Sequence, residues 1–208
     1  MTMDRLNISP TKSNLIQAKN SLELAKEGYE LLDQKRNVLI REMMAKIDEA
    51  KKIQSEINEY FYEAYQALQV VDITMGIGTV EEIATGIDFI DDVKIKCYSV
   101  MGVEIPEVEP VSEKIEPRYS FFRTNLALDR AFKNFTRVVS LITRLAEIET
   151  SVYRLATAIK QTQKRANALD NILIPRYENT VKFIEDTLEE KEREDFFRIK
   201  LVKKKKET

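Results

Sequence analysis

The chain has no histidine, no tryptophan and a single cysteine in 208 residues. Histidine is the side chain that titrates nearest neutral pH and the commonest zinc ligand. Its absence excludes Ser-His and Cys-His nucleophile activation and His-based metal sites. Cys97 has no partner for an internal disulfide and no companion cysteine for zinc. A reducing compartment, the cytoplasm by default, is the expectation. No stretch reaches the roughly 18 apolar residues that a membrane span requires. The greasiest, 138–159, is interrupted by Arg144, Glu147, Glu149 and Arg154. The N-terminus lacks the apolar region of an export signal, so neither a span nor secretion is expected.

Helix breakers are also scarce, with five glycines and five prolines, and their placement organises the chain. Gly76, Gly78, Gly86 and Gly102 crowd together, and Pro106, Pro110 and Pro117 follow them. This marks 76–117 as an insert between flanks built to be helical. The expected division is therefore 1–75, a helical N-terminal flank; 76–117, a middle insert; and 118–208, a helical C-terminal flank with a basic tail.

The flanks carry heptads. Stepping by seven gives Leu15, Leu22, Tyr29, Arg36, Met43, Ala50, Ile57, Ala64 and Val71, with a companion series Ala18, Ala25, Leu32, Leu39, Lys46, Ile53, Tyr60 and Ala67. Fifteen of the seventeen positions are apolar or aromatic. A stripe of period 3.5 stays in phase only when the helix winds around a partner, so a coiled coil is predicted. At 1.5 Å per residue its length is roughly 90 Å. The C-terminal stripe reads Val138, Leu141, Leu145, Ile148, Val152, Leu155, Ile159, Thr162, Ala166, Leu169 and Leu173. Beyond Pro175 it resumes one residue out of phase as Tyr177, Val181, Ile184 and Leu188, the mark of a stutter. Pro175 removes a backbone donor, so a kink near Ile174 is expected. Helix entry is read near Asn7, Ser9, Pro10 and Thr11. Gly28 beside Tyr29 either admits a second backbone closely or is merely tolerated. Two long stripes joined by an insert pair most cheaply with each other as an antiparallel hairpin, with parallel dimerisation as the rival. Residues 1–5 and the final six are expected to fray.

Within the insert, Val80, Ile83, Ala84, Ile87, Phe89 and Ile90 suit a short amphipathic helix over 80–92. Alternation over 93–101 and a second extended run over 103–111 predict a β-hairpin turning near Gly102, with Pro106 and Pro110 tolerable only at an edge. The fold class is thus dominated by helix: a long antiparallel two-helix coiled coil with a small insert holding a short helix and a β-hairpin.

Charge is unevenly divided. Residues 76–117 carry ten acids against three lysines, residues 118–175 ten basic residues against four acids, and the chain from Arg193 seven basic against three acidic. Nucleic-acid modules interleave basic residues with exposed aromatics, whereas Phe132 and Phe135 sit at helical spacing near the stripe, so no nucleic-acid partner is expected. The lysine run 203–206 reads as a solvated tail or a contact with an acidic partner. Phosphate-loop and dinucleotide motifs are missing, since Gly76-Ile77-Gly78 lacks the third glycine and the preceding strand. Adjacent carboxylates such as Glu81/Glu82, Asp91/Asp92 and Glu189/Glu190 point apart on a helix or strand. Met43 and Met44 read as seam filling. No catalytic residue, cofactor site or metal site is predicted.

Both termini resemble the D subunit of the rotary V-type and A-type ATPases. The N-terminal likeness rests on Pro10-Thr11-Lys12, Leu15, Lys19, Leu22, Ala25, Gly28, Leu31-Leu32, Lys35-Arg36 and Leu39. The C-terminal one rests on 164–169 (Lys-Arg-Ala-Asn-Ala-Leu), Ile174-Pro175, Thr180, Ile184, Leu188, Glu192-Arg193-Glu194 and Phe197-Arg198. The resemblance implies a non-catalytic central-stalk subunit, the rotor shaft. Both chain ends would enter the bore of a catalytic hexamer of nucleotide-binding subunits. The small F subunit of the stalk and a ring-linking subunit of the rotor would engage the chain, which would touch the membrane only indirectly, on its cytoplasmic face. Leu15, Leu22, Leu32, Leu39, Ile53, Ile57, Leu145, Val152, Leu155, Ile159, Leu169 and Leu173 are the expected core. Arg130, Lys133, Arg137, Arg144, Lys164 and Arg165 are the expected contacts with the hexamer. The competing readings are a generic coiled-coil scaffold or tether, a lipid-binding adaptor and, more distantly, an enzyme.

Overall fold

The computed structural model describes residues 5–87, 93–109, 119, 120, 122 and 124–206. In chain order these form α1 (Lys12–Met75), α2 (Ile77–Thr85), β1 (Ile95–Val100), β2 (Val103–Val108), α3 (Leu126–Ala168), a π-helical turn (Leu169–Leu173) and α4 (Ile174–Lys206). The chain divides into two compact units. One joins 1–38 to 159–208, and the other is 39–158.

In the first unit α1 begins where Thr11 caps it, its Oγ1 accepting the Asn14 N–H at 3.3 Å. Ala18 and Ala25 of α1 are buried, as are Thr162, Ala166, Thr180, Val181 and Ile184. An ion-pair ladder records antiparallel pairing: Lys12 meets Glu192 at 2.8 Å, Lys19 meets Glu185 at 2.6 Å and Lys26 meets Glu178 at 2.8 Å. Each rung steps seven residues forward on α1 and seven back on α4, as flanking charges of an antiparallel heptad pair must. The chain before α1 folds back on α4. Thr180 Oγ1 accepts the Leu6 N–H at 3.0 Å while donating to the Arg176 carbonyl at 2.7 Å, and the Arg5 guanidinium lies 3.9 Å from the Phe183 ring centre. Of the ends expected to fray, 1–4 and 207–208 lie outside the described residues, and α4 continues through Lys206.

The phase shift expected at Pro175 takes the form of a π turn. The Ile174 N–H donates to the Leu169 carbonyl, five residues back, which adds one residue to the turn and moves the apolar stripe by one position. Proline at 175 has no N–H to donate and crowds the carbonyl of Asn171, so the widened turn accommodates the ring just before it. One core assignment is corrected by this geometry: Leu173 is 37% exposed, because no residue of the π turn is buried. A Cβ on Gly28 would meet only the Leu169 Cδ1, at 3.8 Å, an ordinary contact distance, so the glycine faces a side chain rather than a close backbone. Gly28→Ala is therefore expected to leave the thermal midpoint unchanged or to raise stability by up to about 1 kcal/mol. A clear loss in a melting experiment would contradict the spacing.

The second unit packs α1 against α3. Ile53, Ile57 and Ile148 form one buried cluster, flanked by Ala50, Phe61, Leu141, Leu145 and Val152. Val71, Leu128 and Ala131 form another, against which Val80 and Ile83 of α2 pack. Gly76, at φ 84°, ends α1 and lets the chain turn directly into α2. This helix starts earlier and stops sooner than the 80–92 expected, and residues 88–92 lie outside the described residues. Asn125 caps α3, its Oδ1 accepting the Leu128 N–H at 3.0 Å and its Nδ2 donating to Thr74 Oγ1 at 2.8 Å.

The hairpin forms around Met101 and Gly102, whose φ values of 51° and 78° suit a two-residue turn of the mirror-image type. Its register runs from Val100↔Val103 to Ile95↔Val108. The second expected run ends at Val108, and residues 110 and 111 lie outside the described residues. Ile105 and Pro106 are buried, whereas β1 is exposed along nearly all its length.

Candidate partner-binding surfaces

Every position of the two α1 series is buried or half-buried, as is every position of the C-terminal stripe except Leu173. Leu39 and Leu155 are fully buried and Ile53 and Ile57 nearly so. Leu15, Leu22, Leu32, Leu145, Val152, Ile159 and Leu169 are half-buried. With these side chains absorbed by the fold, any binding surface lies in what remains exposed.

The clearest such surface is the end of α4. Glu192 is its last residue tied to α1 by the ladder, and from Arg193 to Lys204 every side chain is exposed. Among these, Phe196 is 66% exposed, Phe197 63%, Ile199 69%, Leu201 64% and Val202 57%. At about 100° per residue these five are distributed around the helix so that no arc wider than about 100° lacks one. Arg193, Arg198, Lys200, Lys203 and Lys204 are interleaved with them. A stripe search misses this segment because the apolar residues follow no single face.

The six expected basic contacts are all exposed, but their surroundings differ. Arg130 edges a shallow groove formed by Glu63, Gln66, Ala67, Val70, Leu126 and Ala127. Arg137 lies over the Tyr60 ring, 4.1 Å from its centre. Arg144 donates to Glu49 at 2.9 Å. Arg130, Lys133, Arg137 and Arg144 belong to the second unit, and Lys164 and Arg165 to the first. Arg137 and Arg144 thus stitch α3 to α1 in addition to presenting charge.

The hydrogen bond from Arg144 holds the Glu49 carboxyl below its ordinary value, with partial burial opposing and Lys46 reinforcing the shift. A carboxylate depressed on folding stabilises the folded state above its unfolded pKa, and that contribution fades as pH falls through the folded one. Acid titration below about pH 4.5 should therefore cost Glu49→Gln less stability than the parent chain. Equal losses on the two acid-melt curves would sever the assignment.

Sequence reasoning also missed the two α3 side chains that hold the hairpin. Glu147 Oε2 accepts the Val108 N–H at 3.0 Å, and Arg154 Nη1 donates to the Glu104 carbonyl at 3.1 Å. Ser151, on the same helix face, is only 1% exposed and donates to the Glu147 carbonyl at 2.7 Å. Both charged residues look like interruptions of an apolar stretch, so their spacing alone gave no signal. No helix among the described residues is long and apolar enough to cross a membrane.

Comparison with known proteins adds identity to these surfaces. Residues 14–204 match the family described as the D subunit of ATP synthase. The V-type ATP synthase D subunit of Thermotoga neapolitana is 47% identical over 200 residues, which cover 96% of this chain and 98% of the relative. The A-type ATP synthase D subunit of Thermococcus kodakarensis is 41% identical over 201 residues, covering 95% of this chain and 94% of the relative. That of Pyrococcus furiosus is 38% identical over 201 residues, with the same coverage of both chains.

Proposed function

The chain belongs to the D-subunit family of ATP synthases, and we propose that it serves as the central rotor shaft of a V/A-type complex. In this reading it couples ATP hydrolysis or synthesis in a catalytic hexamer to proton or sodium ion translocation by a membrane ring. The observation that carries the reading is the end of α4. A helix that exposes large apolar side chains all round is built to be enclosed, and a hexamer bore encloses it from every side. The interleaved lysines and arginines would then face acidic groups of the bore. Arg130, Lys133, Arg137, Arg144, Lys164 and Arg165 are proposed as further contacts with the hexamer. The insert 76–117, set between the flanks 1–75 and 118–208, would meet the small F subunit of the stalk and the ring-linking subunit, on the cytoplasmic face.

The shaft contributes contacts and no bond chemistry. A single asymmetric chain inside a ring of repeating sites touches those sites unequally. Differential contact energy favours a different conformation at each site, and turning the chain moves that preference around the ring. By reciprocity, a nucleotide-driven change at one site favours a new angle of the shaft.

Cys97 is exposed and is the only cysteine, which provides a handle for the test. With the hexamer immobilised and bound to this chain alone, a bead linked to Cys97 should turn in one direction when ATP is added. Sustained hydrolysis beneath a stationary bead would refute the rotor role.

A further inference from the structure

We propose that the π turn Leu169–Leu173 is a joint at which the shaft yields to twist, so that the segment carrying the ion-pair ladder can turn relative to the segment carrying Arg36 and Gln163. The inference rests on the rotor reading above. Two things make a coiled coil resist twisting: the bond from each backbone N–H to the carbonyl four residues back, and the interdigitation of buried side chains across the seam. Both are interrupted at this turn.

The backbone ladder changes step, since the Ile174 N–H reaches the Leu169 carbonyl, five residues back. Pro175 then brings no N–H at all, so the Asn171 carbonyl receives no bond from the residue four positions on. The seam thins at the same place. No residue from 167 to 179 is buried, and between Leu128 and Ile184 no other stretch of the C-terminal arm goes so long without a buried residue. Ile172 and Leu173 are turned outward, 52% and 37% exposed. The facing stretch of α1, 26–38, has no buried residue either.

Both sides of this stretch are pinned. Lys26 with Glu178 at 2.8 Å marks one end, and Arg36, which donates to Gln163 Oε1 at 2.7 Å, marks the other. Thr162 and Ala166 are buried on one side and Thr180, Val181 and Ile184 on the other. Few buried contacts and a broken backbone ladder between two packed segments are the conditions for local opening. α1 runs unbroken past the turn, and Leu169 lies against Gly28, so the joint yields in twist rather than in length. Along the chain it separates α4 from α3, the helix that holds the hairpin.

The turn can be healed while its neighbours keep their places. A π turn holds one residue more than the α turn it replaces. Deleting Ile172 therefore brings Ile174, Tyr177, Val181, Ile184 and Leu188 into phase with the stripe over 138–166, with the ion pairs at their levels. Pro175→Ala in the same chain restores the missing donor. In the isolated full chain, the amides of 171–179 should exchange at least about tenfold faster than those of 162–166 and 181–185, and the healed variant should remove the difference. With the immobilised hexamer stalled by withholding ATP, the angular spread of a bead on Cys97 should be narrower for the healed variant than for the parent. If the deletion does not fold, Pro175→Ala alone carries the comparison and should narrow the spread in part. Equal spreads for the parent and each folded variant would overturn the proposal while the rotor reading stands. Parent amides at 171–179 as slow as their neighbours would overturn it too. A bead that stays still under sustained hydrolysis would remove both readings.

Discussion

Leu155→Ala is expected to lower the free energy of unfolding by about 2–5 kcal/mol. The side chain is fully buried, and the residues half a heptad either side of it, Val152 and Ile159, are themselves half-buried. A two-helix seam has no second layer of core to close over the gap, so the cavity left behind persists. At roughly 2–4 °C per kcal/mol for a chain of this size, the melting midpoint should fall by about 5–20 °C. Leu39→Ala, at another fully buried position, should behave alike. Leu24→Ala is the internal comparison: it removes the same atoms from a side chain 70% exposed and should cost less than about 0.5 kcal/mol. Equal shifts for Leu155 and Leu24 would place Leu155 outside a packed seam.

Truncation after Glu192 should produce the opposite pattern, a stable chain that no longer binds. Arg193 pairs with Glu189, and Arg198 with Glu194 and Asp195, all within α4, so the isolated protein should melt within a few degrees of the parent. The ladder from Lys12 to Glu192 is retained. Burying a large apolar side chain contributes about 1.5–3 kcal/mol. Losing only two such anchors among the five would therefore weaken binding to the hexamer by at least about a hundredfold. Titration of purified hexamer with full-length and truncated chains measures this directly, and equal affinities would disprove enclosure of the α4 end.

The pairing of the helices was legible because one physical constraint repeats along the chain. A seam position must be apolar every three or four residues, and Ala18, Leu39, Ile57, Ile148 and Ile184 each supply an independent instance. The hairpin was equally readable, since alternation on both sides of Gly102 leaves few other folds for that stretch. Non-repeating features were harder. The register slip at Pro175 was visible as a phase change, but its form as a π turn, and with it the exposure of Leu173, depends on which carbonyl the Ile174 N–H finds. Glu147 and Arg154 took their roles only once β2 lay against α3. The apolar residues past Glu192 follow no single helix face, and the enclosure proposed for them would impose no period.

The ladder of Lys12, Lys19 and Lys26 has a weakness that follows from its regularity. If α1 slid along α4 by one heptad, about 10.5 Å, two of its three rungs would re-form with new partners. Evenly spaced teeth resist small slips but not a whole-tooth jump. The contacts that occur only once must act as the catch: Leu6 on Thr180, Arg5 over Phe183, and the widened turn whose Leu169 lies beside Gly28. In the proposed rotor role, such a detent would keep longitudinal load from changing the working length of the helix pair.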